Sequence, residues 1–188
     1  MLHSCLKIAE TNGLDKLYEC PPRRHSNWQH VLAAIKIYEA VKPLSQRALL
    51  VAWLYHDAIC RPELGYQYNV DQNVWLYLNN AAKKYDVSSA EMDEYVKALT
   101  KVKGINTGPV ADLERLIFTV SPDDYKAYRT NIRAEHWYLT AAAWAKGRKN
   151  ALAAILSQPS IYWDRQLENN YGTLARQNLA GELIELES

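Results

Sequence analysis

Eight consecutive residues, Ala48-Leu49-Leu50-Val51-Ala52-Trp53-Leu54-Tyr55, carry no charge and run straight into His56-Asp57. An apolar run of that length without a polar stripe reads as a helix buried on every side. A chain folded around it must surround it with other elements. An imidazole and a carboxylate at its end are costly there unless something pairs with both, and a metal ion would do so.

With 188 residues and 48% apolar composition, the chain has enough material for one domain, 1–188, with a full core. Strand-like alternation is nearly absent, and the expectation is an all-α fold in the form of a compact helical bundle. A first helix over residues 1–18 closes near Gly13 or Pro21-Pro22. The next starts at Ser26-Asn27, either of which can cap it, and runs to about Val41 before Lys42-Pro43. The buried helix follows, with Ser45 as a candidate cap. Further helices are expected over residues 71–85 and 88–101, the second opened by Ser88 and Glu91 as a capping box. Residues 61–68 and 103–109 read as loops by their Pro and Gly content. A helix then begins near Val110-Ala111-Asp112. Beyond Ser121-Pro122 a long helix runs to about Ala145, Gly147 breaks it, and helices over residues 149–156 and 171–186 finish the chain.

A formal charge of +1 provides no general attraction to nucleic acid, so none is expected as a partner. No segment is long and uncharged enough to span a membrane. Cys5, Cys20 and Cys60 cannot pair completely and lack C-x-x-C spacing, which points to reduced thiols and a cytoplasmic location. The 13 Tyr and 6 Trp against one Phe read as core and helix-seam residues rather than a base-stacking platform. Apolar and Tyr-rich faces on the C-terminal helices suit either packing at home or a homodimer.

His30 shares a helical face with Ala34, Ile37 and Val41, so its ring points inward. Taken alone, it reads as a satisfied core histidine. Asp57 could cap the next turn, and Asp112, in a first helical turn, suits the helix dipole. Together His30, His56, Asp57 and Asp112 make a mixed nitrogen and oxygen ligand set for Mn, Mg, Fe, Co, Ni or Zn. A divalent ion so held lowers the pKa of bound water and clamps phosphoryl oxygens, which is the equipment of phosphoester hydrolysis.

The order His30…His56-Asp57…Asp112 resembles the HD superfamily of metal-dependent phosphohydrolases. Tyr18-x-x-Pro21-Pro22-Arg23-Arg24 followed by Asn27-Trp28-Gln29-His30-Val31 is similar to the opening motif of one of its families, and Ala52-Trp53-Leu54-Tyr55-His56-Asp57-Ala58 to the central motif. Ile132-Arg133-Ala134-Glu135, Gly147-Arg148, Ile161-Tyr162 and Ala175-Arg176-Gln177-Asn178-Leu179 extend the likeness over nearly the whole chain. The resemblance implies an HD-type bundle holding one divalent metal at His30, His56, Asp57 and Asp112. Glu114 is the rival to Asp112, because family members tend to carry two acids there.

The chain also departs from the family pattern. Where relatives show Tyr-His-Asn, with the histidine as expected proton donor, this chain has His25-Ser26-Asn27. Ser26 takes the donor's place and His25 is displaced by one residue, about 100° around a helix. Val70 stands where an acid is expected, and Lys103 where a histidine is.

The reading that follows is a phosphohydrolase using a metal-activated water on a small phosphorylated substrate such as a nucleotide. Asp57 would act beside the metal, Lys103, Arg24 and Arg133 would meet the phosphate, and His25 or Lys103 would serve the leaving group. The alternative is an HD-fold binding or regulatory protein that binds a nucleotide, metal or protein partner without turnover. A third reading makes the same residues a buried hydrogen-bond network. Arg148 and Arg176 are expected to tie helices together through Glu135, Glu168 or Glu182.

Overall fold

The computed structural model describes residues 1–19, 23–58, 83–88, 90–91 and 108–187. Its described residues form eight α-helices and one short 3-10 turn, with no strand among them. These are α1 (Leu2–Thr11), α2 (Leu14–Tyr18), α3 (Trp28–Val41), α4 (Arg47–Tyr55), α5 (Pro109–Arg115), α6 (Pro122–Glu135), α7 (Ala141–Leu156) and α8 (Arg165–Glu187). The 3-10 turn, Leu116–Thr119, continues directly from α5. The expected all-α class is what the chain adopts.

Every residue from 48 to 55 is buried, so α4 is the central rod its composition demands. Gln46, not Ser45, stands at its N-cap and contributes no side-chain cap. Around it lie α1, which also touches α2, and α5, which packs on both α3 and α4. The 3-10 turn and α8 pack on each other and on α3, with α7 laid against α8. One core cluster draws residues from all of these elements, with Trp53, Tyr18, Tyr162 and Leu113 among its fully buried members.

Local signals place several boundaries. Asn27 Oδ1 accepts the His30 N–H at 2.9 Å and so starts α3 one residue before Trp28. Gly13, at φ 70°, turns the chain between α1 and α2 in the left-handed region that glycine adopts without a Cβ penalty. Ser88 and Glu91 form the expected capping box: the Ser88 N–H donates to Glu91 Oε2 at 3.0 Å and the Glu91 N–H to Ser88 Oγ at 3.3 Å.

Three boundaries differ from expectation. The long helix beyond Ser121 stops at Glu135, because the Arg133 guanidinium binds the carbonyls of His136 (2.8 Å) and Leu139 (3.2 Å) and closes a turn. Thr140 then starts α7 afresh by accepting the Ala143 N–H at 3.2 Å. Gly147 lies inside α7 rather than ending it; one interior glycine costs about 1 kcal/mol, which a 16-residue helix tolerates. The last helix begins earlier than expected, where Asp164 Oδ1 accepts the N–H groups of Gln166 and Leu167. Most of the helices expected over residues 71–85 and 88–101, the 61–68 loop, nearly all of the 103–109 loop, and Cys20, Cys60, Val70 and Lys103 lie outside the described residues.

Candidate metal centre

The site is built on Trp53. Its indole N–H donates to the Val31 carbonyl at 3.0 Å, which locks α4 to α3. One face of the ring stacks on His56, with centroids 3.9 Å apart and planes 10° from parallel. His30 meets the same indole edge-on at 5.4 Å. A single buried side chain thus sets the position of both imidazoles.

His56 lies in the first turn after α4, and its Nδ1 donates to the Trp53 carbonyl at 2.6 Å. That bond keeps a proton on Nδ1 and turns Nε2 toward the cluster, where it can bind an ion once its own proton has left. The turn itself is clamped. Tyr18 donates its hydroxyl to the Leu54 carbonyl at 2.9 Å and accepts the Asp57 N–H at 3.2 Å. Arg23 donates to the carbonyls of Asp57 (2.6 Å) and Ala58 (3.2 Å).

Three polar groups then converge. His56 Nε2 lies 3.2 Å from Glu114 Oε2 and 3.4 Å from Asp57 Oδ2, and His30 Nε2 lies 3.5 Å from Glu114 Oε2. His30 Nε2, His56 Nε2 and Glu114 Oε2 are all buried and none has a well-formed hydrogen bond. Buried polar atoms are nearly always paired, so three orphans facing one point call for a missing partner. Two donors about 2.1 Å from one ion stand roughly 3 to 3.5 Å apart in tetrahedral or octahedral geometry, and these separations match. Each of these pairs is spaced for a shared divalent cation; the His30 and His56 rings stand 5.9 Å apart.

The electrostatics agree. Burial alone would lower the His56 pKa, but Asp57 and Glu114 outweigh it and push it up to about 10. Burial would raise both carboxyls, yet the imidazoles hold Asp57 below its ordinary range and Glu114 well below. Two ionised carboxylates thus face this point; protonated His56 balances them in the absence of an ion, and a bound cation would take over that charge as the Nε2 proton leaves. The imidazole side chains are 5% and 7% exposed, whereas Glu114 and Asp57 are 47% and 28% exposed, so the carboxylates form the solvent-facing side.

Asp112, expected as a ligand, is not drawn into this cluster. Its two oxygens accept the main-chain N–H groups of Trp163 (2.8 Å) and Asp164 (2.9 Å), and it is fully buried. On the same side of α5, Arg115 donates to the Ile161 carbonyl at 2.6 Å and Tyr162 donates to the Arg115 carbonyl at 2.9 Å. These bonds pin one face of α5 to the segment before α8. Glu114, the alternative acid, is turned toward α3 and α4 instead.

Of the residues expected at the phosphate, Arg133 binds carbonyls in the 136–140 turn and is not drawn to the cluster. Arg24 is exposed. His25 is buried, its ring 4.3 Å from that of His30 and 4.6 Å from that of Tyr128. Burial first, then the neighbouring His30, lowers its pKa to about 4. His25, His30 and Glu114 offer ligand atoms within 4.8 Å of one another.

Glu135 has a role the sequence did not reveal. Its Oε2, on a side chain buried at the end of α6, accepts the N–H groups of Arg24 (3.3 Å), His25 (2.8 Å) and Ser26 (3.1 Å). It cradles the loop that carries His25. The acid at the close of Ile132-Arg133-Ala134-Glu135 was the available signal, since a carboxylate at a helix C-terminus opposes the dipole and needs another reason to be there. Of the expected inter-helix ties, Arg148 pairs with Glu182 through two bonds of 2.8 and 2.9 Å. Glu168 accepts the N–H groups of Ile161 and Tyr162, and Arg176 donates to the carbonyls of Leu156 and Gln158.

No protein-family model, curated protein or solved structure matches this chain. Among the described residues, no helix is long and apolar enough to cross a membrane.

Proposed function

We propose that this protein is a divergent HD-type phosphohydrolase that uses one divalent cation to cleave a small phosphoester, a nucleotide being the first class to test. The observation that carries the reading is the convergence of three buried, orphaned atoms, His30 Nε2, His56 Nε2 and Glu114 Oε2, with Asp57 beside them. His30, His56, Asp57 and Glu114 would hold the ion, with Glu114 in the place first expected of Asp112. When bound, such an ion supplies an acidified water and neutralises phosphoryl oxygens.

The chain's own groups do the rest. Trp53 holds both imidazoles in register, and its carbonyl keeps His56 Nε2 aimed at the cluster. Tyr18 and Arg23 hold the main chain of Asp57, so its carboxylate is aimed by a braced turn. The half-exposed Glu114 and partly exposed Asp57 form the side open to substrate.

Metal content after purification without added metal, followed by phosphate release from nucleotides and generic phosphoesters with Mn, Mg, Co and Ni, tests the reading. One ion per chain with turnover supports it. No ion, and none taken up on titration, refutes it and leaves a buried polar network.

A second reading, metal binding without turnover, is favoured by Ser26 at the family's proton-donor position and by the engagement of Arg133 elsewhere. It predicts a bound ion and no released phosphate.

A further inference from the structure

We propose that His25 is itself a ligand of this cation, a third imidazole beside His30 and His56, rather than a proton donor to the leaving group. The inference rests on the metal-binding reading above and concerns which side chains complete the site. Its basis is geometric. The ligand atoms of His25, His30 and Glu114 lie within 4.8 Å of one another, and Glu114 is the carboxylate that also faces His56. Donors about 2.1 Å from one ion stand roughly 3 to 4 Å apart, so His25 lies within about 1 Å of sharing an ion with His30 and Glu114.

The position of His25 is built rather than incidental. The loop carrying it is held by three main-chain N–H bonds to the buried Glu135 carboxylate. Its ring sits between His30 and the edge of Tyr128, at 4.3 and 4.6 Å. A proton donor has to reach the leaving group on the open side of the site, which Glu114 and Asp57 form. His25 is only 9% exposed and packs against the innermost imidazole. That placement suits a ligand. Three imidazoles with carboxylate oxygens favour a borderline ion such as Co, Ni, Fe or Zn over Mg.

Cobalt(II) loading of the full chain tests this without reference to turnover. Three hyperfine-shifted, solvent-exchangeable imidazole N–H resonances are expected in the parent, and two in His25→Ala. Cobalt affinity in His25→Ala should fall tenfold or more, with an altered visible spectrum. His25→Gln, which keeps the volume of the side chain, should behave likewise, and far-ultraviolet circular dichroism checks that both variants fold. A parent that binds cobalt with two such resonances, or variants that retain its affinity and spectrum, would overturn the role of His25 alone. A parent that takes up no cobalt overturns this inference together with the reading beneath it.

Discussion

Asp112 and Glu114 stand two residues apart on α5, yet Asp112 directs both oxygens to main-chain N–H groups while Glu114 turns a buried oxygen to two imidazoles. The same contrast runs through the molecule. Glu135, Glu168 and Glu182 are matched by main-chain N–H groups, a tyrosine hydroxyl or an arginine fork. The His30, His56 and Glu114 atoms are not. Saturated carboxylates hold the fold together, whereas an unsaturated cluster has coordination to offer. The difference between them is the physical case for function here.

Exchanging the two α5 acids is the strongest way to break that contrast. Glu114→Ala should reduce divalent-metal affinity by more than about 100-fold, beyond the tenfold to hundredfold that a supporting residue costs. Its helix content should persist. Asp57→Ala should behave the same way, losing metal and any phosphate release together. If Asp112→Ala, and not Glu114→Ala, abolishes metal uptake by calorimetry, the assignment of the two acids is reversed.

Stability should divide in the opposite sense. Asp112→Ala leaves the Trp163 and Asp164 N–H groups without a partner and should cost about 3 kcal/mol in urea unfolding, with metal stoichiometry unchanged. Glu135→Gln weakens three charge-assisted bonds to one and the same oxygen and should cost about 2 kcal/mol. An unfolding midpoint indistinguishable from the parent in either variant would mean that the saturated carboxylates are not structural.

The smallest effect concerns the Lys42–Asp164 ion pair, which braces the segment that Asp112 binds. Burial would raise the Asp164 carboxyl, but the Lys42 ammonium and the Leu167 and Gln166 N–H groups hold it below its ordinary 3.8. A folded-state pKa below the unfolded one contributes stability above the unfolded value and loses it as pH falls through the folded one. The pair should therefore be fully effective at neutral pH and fade below pH 3.8. Lys42→Met should melt slightly lower than the parent near pH 7, by less than about 1 kcal/mol, with the gap closing as pH falls through the lowered folded-state value. A gap that widens on acidification would contradict the sign.

Much of the site was legible because it depended on local chemistry. An uninterrupted apolar octet reads as a buried rod, and Ser26-Asn27 before Trp28 offered two candidate caps for the next helix. The octet carries His56 to the centre, and a cap at Ser26 or Asn27, which the structure assigns to Asn27, starts the helix that carries His30. The α5 acid was different. Residues two apart on a helix point about 200° from each other, so Asp112 and Glu114 could never both face the imidazoles, yet nothing local says which one does. The segment that decides it, residues 161–164, is some fifty residues away in sequence and grips the Asp112 and Arg115 side of the helix. Glu135 was hidden for the same reason, since its partners lie 109 to 111 residues upstream. The misplaced break at Gly147 has another cause: a single glycine is a weak signal, and a guanidinium bridging two carbonyls in the 136–140 turn outweighed it.

Pattern and capping chemistry alone determined that this chain is helical, that α4 lies at its centre, and that two histidines and Asp57 come with it. Those properties follow from interactions within a few residues of chain, where spacing dictates which side chains share a face. Which carboxylate joins the histidines, and which loop holds His25 beside them, were decided by packing between remote segments. Helix rotation and loop anchoring are set by partners distant in sequence, and only the folded arrangement brings those partners into contact.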